Sequence, residues 1–167
     1  MLSARVVDIT TLRTDAIVNA ANERLAPGGG VCGAIHRAAG PDLARACAAI
    51  GRCPTGEARL TPGFDLPAKF VIHAVGPVWH GGGAGEGELL TSAYRSAMRL
   101  ADERRLRSIA FPAIGTGIYG YPLAAATGIA VEAVRSALAA GSSVEEIVFA
   151  CFNPEVLEAY REAGVEA

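Results

Sequence analysis

Asp15-Ala-Ile-Val-Asn-Ala-Ala-Asn22, followed by Leu25-Ala-Pro-Gly-Gly-Gly-Val-Cys-Gly-Ala-Ile-His36, carries the clearest local signals in the chain. A short apolar run enters a polar turn with two asparagines, crosses three glycines and continues into helix-period sequence. That is a strand, a glycine loop and a helix start in immediate succession. Glycines let backbone approach a ligand closely, and the first amides of a helix offer donors at the positive end of its dipole. The segment therefore describes an anion site. A plain loop, chosen for turn geometry, is the alternative for any single glycine run.

The pattern recurs at Ile109-Ala-Phe-Pro-Ala-Ile-Gly-Thr-Gly-Ile-Tyr-Gly-Tyr-Pro122. Two such loops would face each other across the carboxyl ends of the strands, where open α/β sheets bind ligands. Lys69 is the only lysine of the chain, and it lies in neither loop. A diphosphate would accordingly be held by backbone amides and by hydroxyls such as that of Thr116. This suits binding better than phosphoryl transfer, which calls for lysine and metal-binding carboxylates. Neither run fits Gly-x-Gly-x-x-Gly with an acidic ribose partner, so a dinucleotide fold of that kind is not indicated.

Outward from these loops, short β-rich runs alternate with longer Ala-rich runs of helical period, the pattern of an α/β domain. Strands are expected at Ala4 to Ile9, Ala16 to Asn19, Glu57 to Thr61, Phe70 to Val75, Ser108 to Phe111 and Ile147 to Phe152. Helices are expected at Val31 to Ala39, Pro41 to Ala49, Glu88 to Glu103, Leu123 to Ala139 and Pro154 to Ala163. Asn153 is placed to cap the last helix with Pro154 as its first residue, and Pro122 to open the helix that Gly141 ends. His80 to Gly87, rich in glycine, reads as a flexible surface loop and not as a P-loop.

A chain of 167 residues with no repeat or linker fits a single domain, 1–167. Just over half of its residues are hydrophobic, too many for a disordered chain, yet too interrupted for a membrane span. The N-terminus lacks the basic and apolar pattern of a signal peptide, so a cytoplasmic location is expected. The net charge of −2 and dispersed arginines argue against a broad nucleic-acid surface. Only Arg104, Arg105 and Arg107 cluster, as expected at the solvated end of a helix. Cys32, Cys47, Cys53 and Cys151 follow no zinc or disulfide spacing and are read as free thiols. A metal site joining Cys47 or Cys53 to His73 or His80 is rejected, and no metal or cofactor is expected.

The two glycine loops, with Gly40-Pro41, Cys53-Pro-Thr-Gly-Glu57, His73-Ala-Val-Gly-Pro-Val-Trp79 and Ala124-Ala-Ala126 in the same order, resemble the macrodomain family, and within it the MacroD-type branch. The resemblance covers nearly the whole chain. It implies a three-layer α/β/α fold with a central mixed sheet, a cleft for ADP-ribose, and hydrolysis of ADP-ribosyl esters on acidic side chains and of O-acetyl-ADP-ribose. It thereby implies mono-ADP-ribosylated proteins as partners; a monomer and no membrane association are expected beside it.

Residue by residue, the resemblance places Asp8 and Ile9 against adenine. The two phosphate loops fall at Gly28, Gly29, Gly30 and Val31 and at Gly115, Thr116, Gly117, Ile118 and Tyr119. It gives Asn22 the orienting of the distal ribose and Tyr119 the packing over it, where the ring helps to place the attacking water. Asn19 is read as bracing the loop. Phe152 packs near the adenosine or lies in the core; Asp8 alone reads as a turn or cap residue, and Tyr119 as a core tyrosine.

One position departs from that pattern. MacroD-type hydrolases usually carry an aspartate after Gly-Gly-Gly-Val, and this chain has Cys32. General-base help is worth about two to four powers of ten in rate, so its loss would slow turnover without touching binding. Glu23, the only acid between Asn19 and Gly40, belongs to the preceding turn. Three readings follow: a hydrolase in which a substrate phosphate orients the water, a non-catalytic ADP-ribose reader, and a nucleophilic or redox-active Cys32. The first is preferred and the last disfavoured, because no histidine is placed as a partner of the thiol. His36, one turn beyond Cys32, reads as structural.

Overall fold

The computed structural model describes residues 1–166, so position 167 of the expected span lies outside the described residues. Six strands form one sheet: β1 (Leu2–Val6), β2 (Ala16–Ala21), β3 (Ala58–Pro62), β4 (Phe70–Val75), β5 (Ser108–Phe111) and β6 (Glu146–Cys151). Their order is β1-β6-β5-β2-β4-β3. All neighbouring pairs are parallel except β3 with β4, so the sheet is mixed through one antiparallel edge strand. Five helices cover it: α1 (Gly30–Ala39), α2 (Pro41–Ile50), α3 (Glu86–Glu103), α4 (Leu123–Ala139) and α5 (Pro154–Glu162). The three-layer α/β/α arrangement is the one the resemblance implies.

The two-residue period of the strands sorts their side chains between two cores. Ala16 and Val18 of β2 with Ile72 and Ala74 of β4 join the face covered by α3, α4 and α5. Ile17 and Ala21 with Val71 and Val75 join the face covered by α1 and α2. Asn19 and His73, paired in register across β2 and β4, fall by the same period on the α1–α2 side. The larger core carries an aromatic file from α3 to α5. Tyr94, Phe111, Phe149 and Tyr160 follow one another at ring-centre distances of 5.2, 6.1 and 4.6 Å.

Local signals set the helix ends. Asn153 accepts the Val156 amide at 3.0 Å and Pro154 opens α5, as read from the sequence. Gly141, with φ of +99°, follows the end of α4 in the left-handed region that glycine adopts without strain. Arg104 ends α3, lying exposed over the Phe70 ring, and Arg107 pairs with Glu145.

Several expected boundaries move. The first strand stops at Val6, so Asp8 and Ile9 leave the sheet, and Asp8 caps a short 3-10 turn over Ile9–Thr11. β6 ends at Cys151, which leaves Phe152 89% exposed. α3 begins at Glu86, two residues before the expected start, and shortens the glycine-rich loop. That loop is not free: three of its amides bond to the Glu86 carboxylate. Among the described residues no helix is long and apolar enough to cross a membrane.

Candidate functional site

Five of the segments singled out in the sequence emerge from the carboxyl ends of the parallel strands. Asp8 and Ile9 follow β1, Phe152 follows β6, residues 112–122 follow β5, residues 22–29 follow β2, and residues 76–79 follow β4. The sheet order sets these segments side by side along one edge, with the two glycine loops on the adjacent strands β5 and β2 at its centre. They come close across the space between them: a Cβ built on Gly29 would lie 3.6 Å from Ile118 Cδ1. Ile118 is 88% exposed and spans that gap.

The first loop is braced by Asn22. Its Oδ1 accepts the amides of Arg24 and Ala26, both at 3.1 Å, and its Nδ2 donates to the Ala26 carbonyl at 2.9 Å. The sequence reading gave this bracing to Asn19, and the structure corrects it. Leu25, at φ of +56°, is buried at the bend. Gly30 starts α1 at φ of +57° with no atom near the place of a Cβ, so a side chain there would be strained and would project into open space. The Gly33 amide makes the first helical hydrogen bond, to the Gly29 carbonyl at 3.2 Å. The preceding amides of Gly30, Val31 and Cys32 are first-turn donors without intrahelical partners. With the helix dipole they leave donors available at the helix start, the chemistry an anion site needs.

The second loop is a set of tight turns held from below. The Tyr121 amide donates to Gly115 O at 2.9 Å and the Gly120 amide to Gly117 O at 3.0 Å. The hydroxyl of Thr116 donates to Ala113 O at 2.8 Å. Tyr94 of α3, fully buried, accepts the Ile114 amide at 3.1 Å and donates to Pro112 O at 3.2 Å. Gly76 leaves room for Ile114, whose Cγ2 lies 2.6 Å from where a Cβ would be. Tyr119 is half-buried, its hydroxyl raised above the usual tyrosine value by burial and then by the charges of Glu23 and Cys32. Those causes place its ring among the residues around the first loop.

Beneath Cys32 lies a polar ladder on the α1–α2 face. Asn19 Nδ2 sits 3.7 Å from Cys32 Sγ and 3.1 Å from His73 Nδ1. His73 Nε2 is 3.0 Å from Thr61 Oγ1 and 3.7 Å from Cys47 Sγ. The Asn19 amide nitrogen can only donate, so His73 Nδ1 accepts and Nε2 carries the proton toward Thr61. Burial, then the charge of His36, depress the His73 ring to a pKa of about 3, and it is neutral. Burial raises Cys47 to about 11, with its neighbour Cys32 a smaller cause. His36 is buried behind the loop, where desolvation lowers its pKa.

Cys32 Sγ also faces the Ala26 carbonyl at 3.7 Å. Glu23 is no substitute for a carboxylate at position 32, because its Oε2 accepts both the amide and the hydroxyl of Thr55 at 3.1 Å. All four cysteines are free and buried. Cys47 does meet His73, but among the described residues no three His, Cys, Asp or Glu side chains gather as a metal-binding group. Asp8 Oδ1 accepts the amide of Thr10 at 3.0 Å and its hydroxyl at 2.7 Å, the cap role it reads as alone. The sequence reading did not single out Tyr94, Glu86 or the Asn19–His73 pairing. Only the last left a trace, as two polar residues in apolar strands.

A match to the Macro domain family covers residues 18–130. A macro domain-containing protein of Chlorobaculum tepidum is 56% identical over 98% of this chain and 95% of its own. The O-acetyl-ADP-ribose deacetylase of Enterobacter cloacae is 53% identical over 92% of this chain and 88% of its own. The Oceanobacillus iheyensis macrodomain with ADP superposes at a TM-score of 0.93, with 41% identity over 97% of this chain and 88% of that one. The Trypanosoma brucei macrodomain in complex with ADP-ribose superposes at 0.91, with 46% identity over 96% of this chain and 68% of that one.

Proposed function

This chain belongs to the Macro domain family, and on that premise we propose that it binds ADP-ribose along the edge where its five parallel strands end. The observation that carries the reading is the meeting of two glycine loops from the adjacent strands β2 and β5, with Ile118 packed beside Gly29. The diphosphate lies between Gly28 to Val31 and Gly115 to Ile118, held by amides. Adenosine extends toward β1 and β6, where Asp8 Oδ2 is left to accept from the exocyclic amine while Oδ1 caps the turn, with Ile9 and the exposed Phe152 ring beside the base. The distal ribose reaches the other end, near Asn22, Tyr119 and Cys32. Relatives named for binding ADP-ribose and for deacetylating its O-acetyl ester support this choice of ligand.

The reaction we propose is that of the MacroD-type branch. Water attacks at the distal ribose, at the ester that joins it to a protein Asp or Glu side chain or to acetate; the ester C–O bond breaks, and ADP-ribose, the free carboxylate and a proton are released. Cys32 supplies no carboxylate and Glu23 is engaged by Thr55, so a substrate phosphate orients the water. Tyr119 closes over the ribose, and the second Nδ2 hydrogen of Asn22 serves its hydroxyls. The same missing carboxylate favours a second reading, a module that recognises ADP-ribose and releases it unchanged.

Incubation with an automodified ADP-ribosyl protein separates the two. Release of ADP-ribose supports the hydrolase; no release at high enzyme concentration, with calorimetry still reporting ADP-ribose binding, supports the reader. An absence of binding defeats both.

A further inference from the structure

We infer that Glu86 is a positioning residue for the second glycine loop, acting through Trp79. The inference rests on the binding reading above, but the strap it describes is testable without ligand. Glu86, the first residue of α3, is 1% exposed although it is a carboxylate. Its Oε2 accepts the amides of His80 at 2.8 Å and Gly82 at 3.0 Å, and its Oε1 accepts the amide of Ala84 at 2.7 Å. One side chain thus gathers alternate amides of a segment containing Gly81, Gly82, Gly83 and Gly85. Gly81, Gly82 and Gly85 adopt positive φ. Such a segment loses much conformational entropy on ordering, and charge-assisted bonds to a single buried carboxylate offset that loss.

The gathered strap lies on the indole of Trp79: a Cβ on Gly82 would be 3.0 Å from Trp79 Cη2. The indole packs on the Tyr121 ring at a centroid distance of 4.6 Å, and the Trp79 amide donates to the Tyr119 carbonyl at 2.8 Å. The Tyr121 amide in turn closes the turn on Gly115. The Glu86 charge, after burial, raises the Tyr121 hydroxyl, consistent with that proximity. An unbroken line of contacts therefore runs from the Glu86 carboxylate to the carbonyl of Tyr119 and the turn at Gly115. Without the strap, Trp79 loses its outer wall and the second loop loses the support that fixes its amides toward a diphosphate.

The test uses Glu86→Gln, which keeps the shape of the side chain but presents a donor to amides that need an acceptor. Trp79 is the only tryptophan of the chain, so its emission and quenching by acrylamide report on the strap in the ligand-free protein. The variant is expected to quench more strongly and to bind ADP-ribose about tenfold more weakly by calorimetry. In a Trp79→Phe background, the same Glu86 substitution should change affinity by less than about twofold, since contacting residues that act in series are not additive. Unchanged quenching in folded Glu86→Gln overturns the strap. A full tenfold loss persisting in the Trp79→Phe background overturns the route through Trp79. If the parent protein fails to bind ADP-ribose, the binding reading fails, while the quenching result still decides the strap.

Discussion

Replacing Cys32 by aspartate restores a carboxylate at the third residue of α1 and measures what its absence costs. The thiol is 6% exposed, so the new side chain enters a nearly closed site. Two features there favour the anion: the unpaired first-turn amides with the helix dipole, worth about 0.3–1 kcal/mol, and the Asn19 amide now 3.7 Å from Sγ. Two oppose it, the loss of water around a carboxylate at this position and the Ala26 carbonyl at the same distance on the other side. The opposing pair is the larger, and the fold should lose about 1–3 kcal/mol of stability yet persist. The rate should rise. A positioned general base contributes about 10²–10⁴ in rate, equivalent to roughly 3–5 kcal/mol of barrier. Single-turnover release of ADP-ribose from an automodified protein, measured for the parent, Cys32→Asp and Cys32→Ala, is the assay. The expected order is Asp well above the parent, with Ala within about threefold of it. If Ala is inactive while still binding ADP-ribose, the thiol is catalytic and the phosphate-assisted account is wrong. If Asp gains nothing although its affinity is intact, the missing carboxylate is not what limits turnover.

Three other expectations follow from the same geometry. Gly30→Val places a branched side chain at φ of +57° in open space facing the cradle, so the protein should fold but lose about a hundredfold or more in ADP-ribose affinity by calorimetry; an unchanged affinity would move the site elsewhere. Tyr94→Phe removes one of the two acceptors of the Ile114 amide, which keeps the Pro112 carbonyl at 3.0 Å, and the hydroxyl that donates to that carbonyl, a cost of about 0.5–1.5 kcal/mol, and thermal melts should fall by roughly 1–6 °C; an unshifted melt would show that the second loop does not depend on this hydroxyl. His73 titrates at about 3 when folded and near its ordinary 6.5 when unfolded, so the unfolded chain takes up the proton first as pH falls. Its contribution, at most about 4–5 kcal/mol, is complete above pH 6.5 and is lost progressively down to about 3. Urea midpoints of His73→Gln should therefore fall less steeply over that window, and equal slopes would refute the assignment.

The parts legible in the sequence are those that local rules decide. Strand and helix periods placed all eleven regular elements within two or three residues, and Asn153-Pro154 announced its helix because cap and first residue are adjacent in sequence. Errors fell where the outcome depends on distant residues. Phe152 extends an apolar run and reads as strand, but β1 has already turned away into the Asp8 cap, so β6 loses its neighbour and Phe152 reaches solvent. Asn19 and Asn22 look alike in an Asn-Ala-Ala-Asn run. Their roles are set by strand parity and by His73, 54 residues away, which claims the Asn19 amide and leaves Asn22 to bend the loop. Glu86 is one acid among many until the amides of its own glycine-rich neighbour close on it.

Binding and catalysis are thus assigned to different kinds of atom. The cradle consists of main-chain amides, and Arg24 is the one cation in residues 22–32 and 113–121 taken together. Main-chain donors are fixed by turns and by anchors such as Asn22 and Tyr94, to which the side chain at position 32 adds one 3.7 Å sulfur contact with the Ala26 carbonyl. That side chain points from the helix start toward Asn19 and Ala26 and makes only two long sulfur contacts. Its identity can therefore alter what happens to the distal ribose while the diphosphate is held as before. This separation explains how a chain with cysteine where an aspartate is usual keeps both glycine loops and the strap behind them. It is also why affinity for ADP-ribose, taken alone, says little about turnover in this protein.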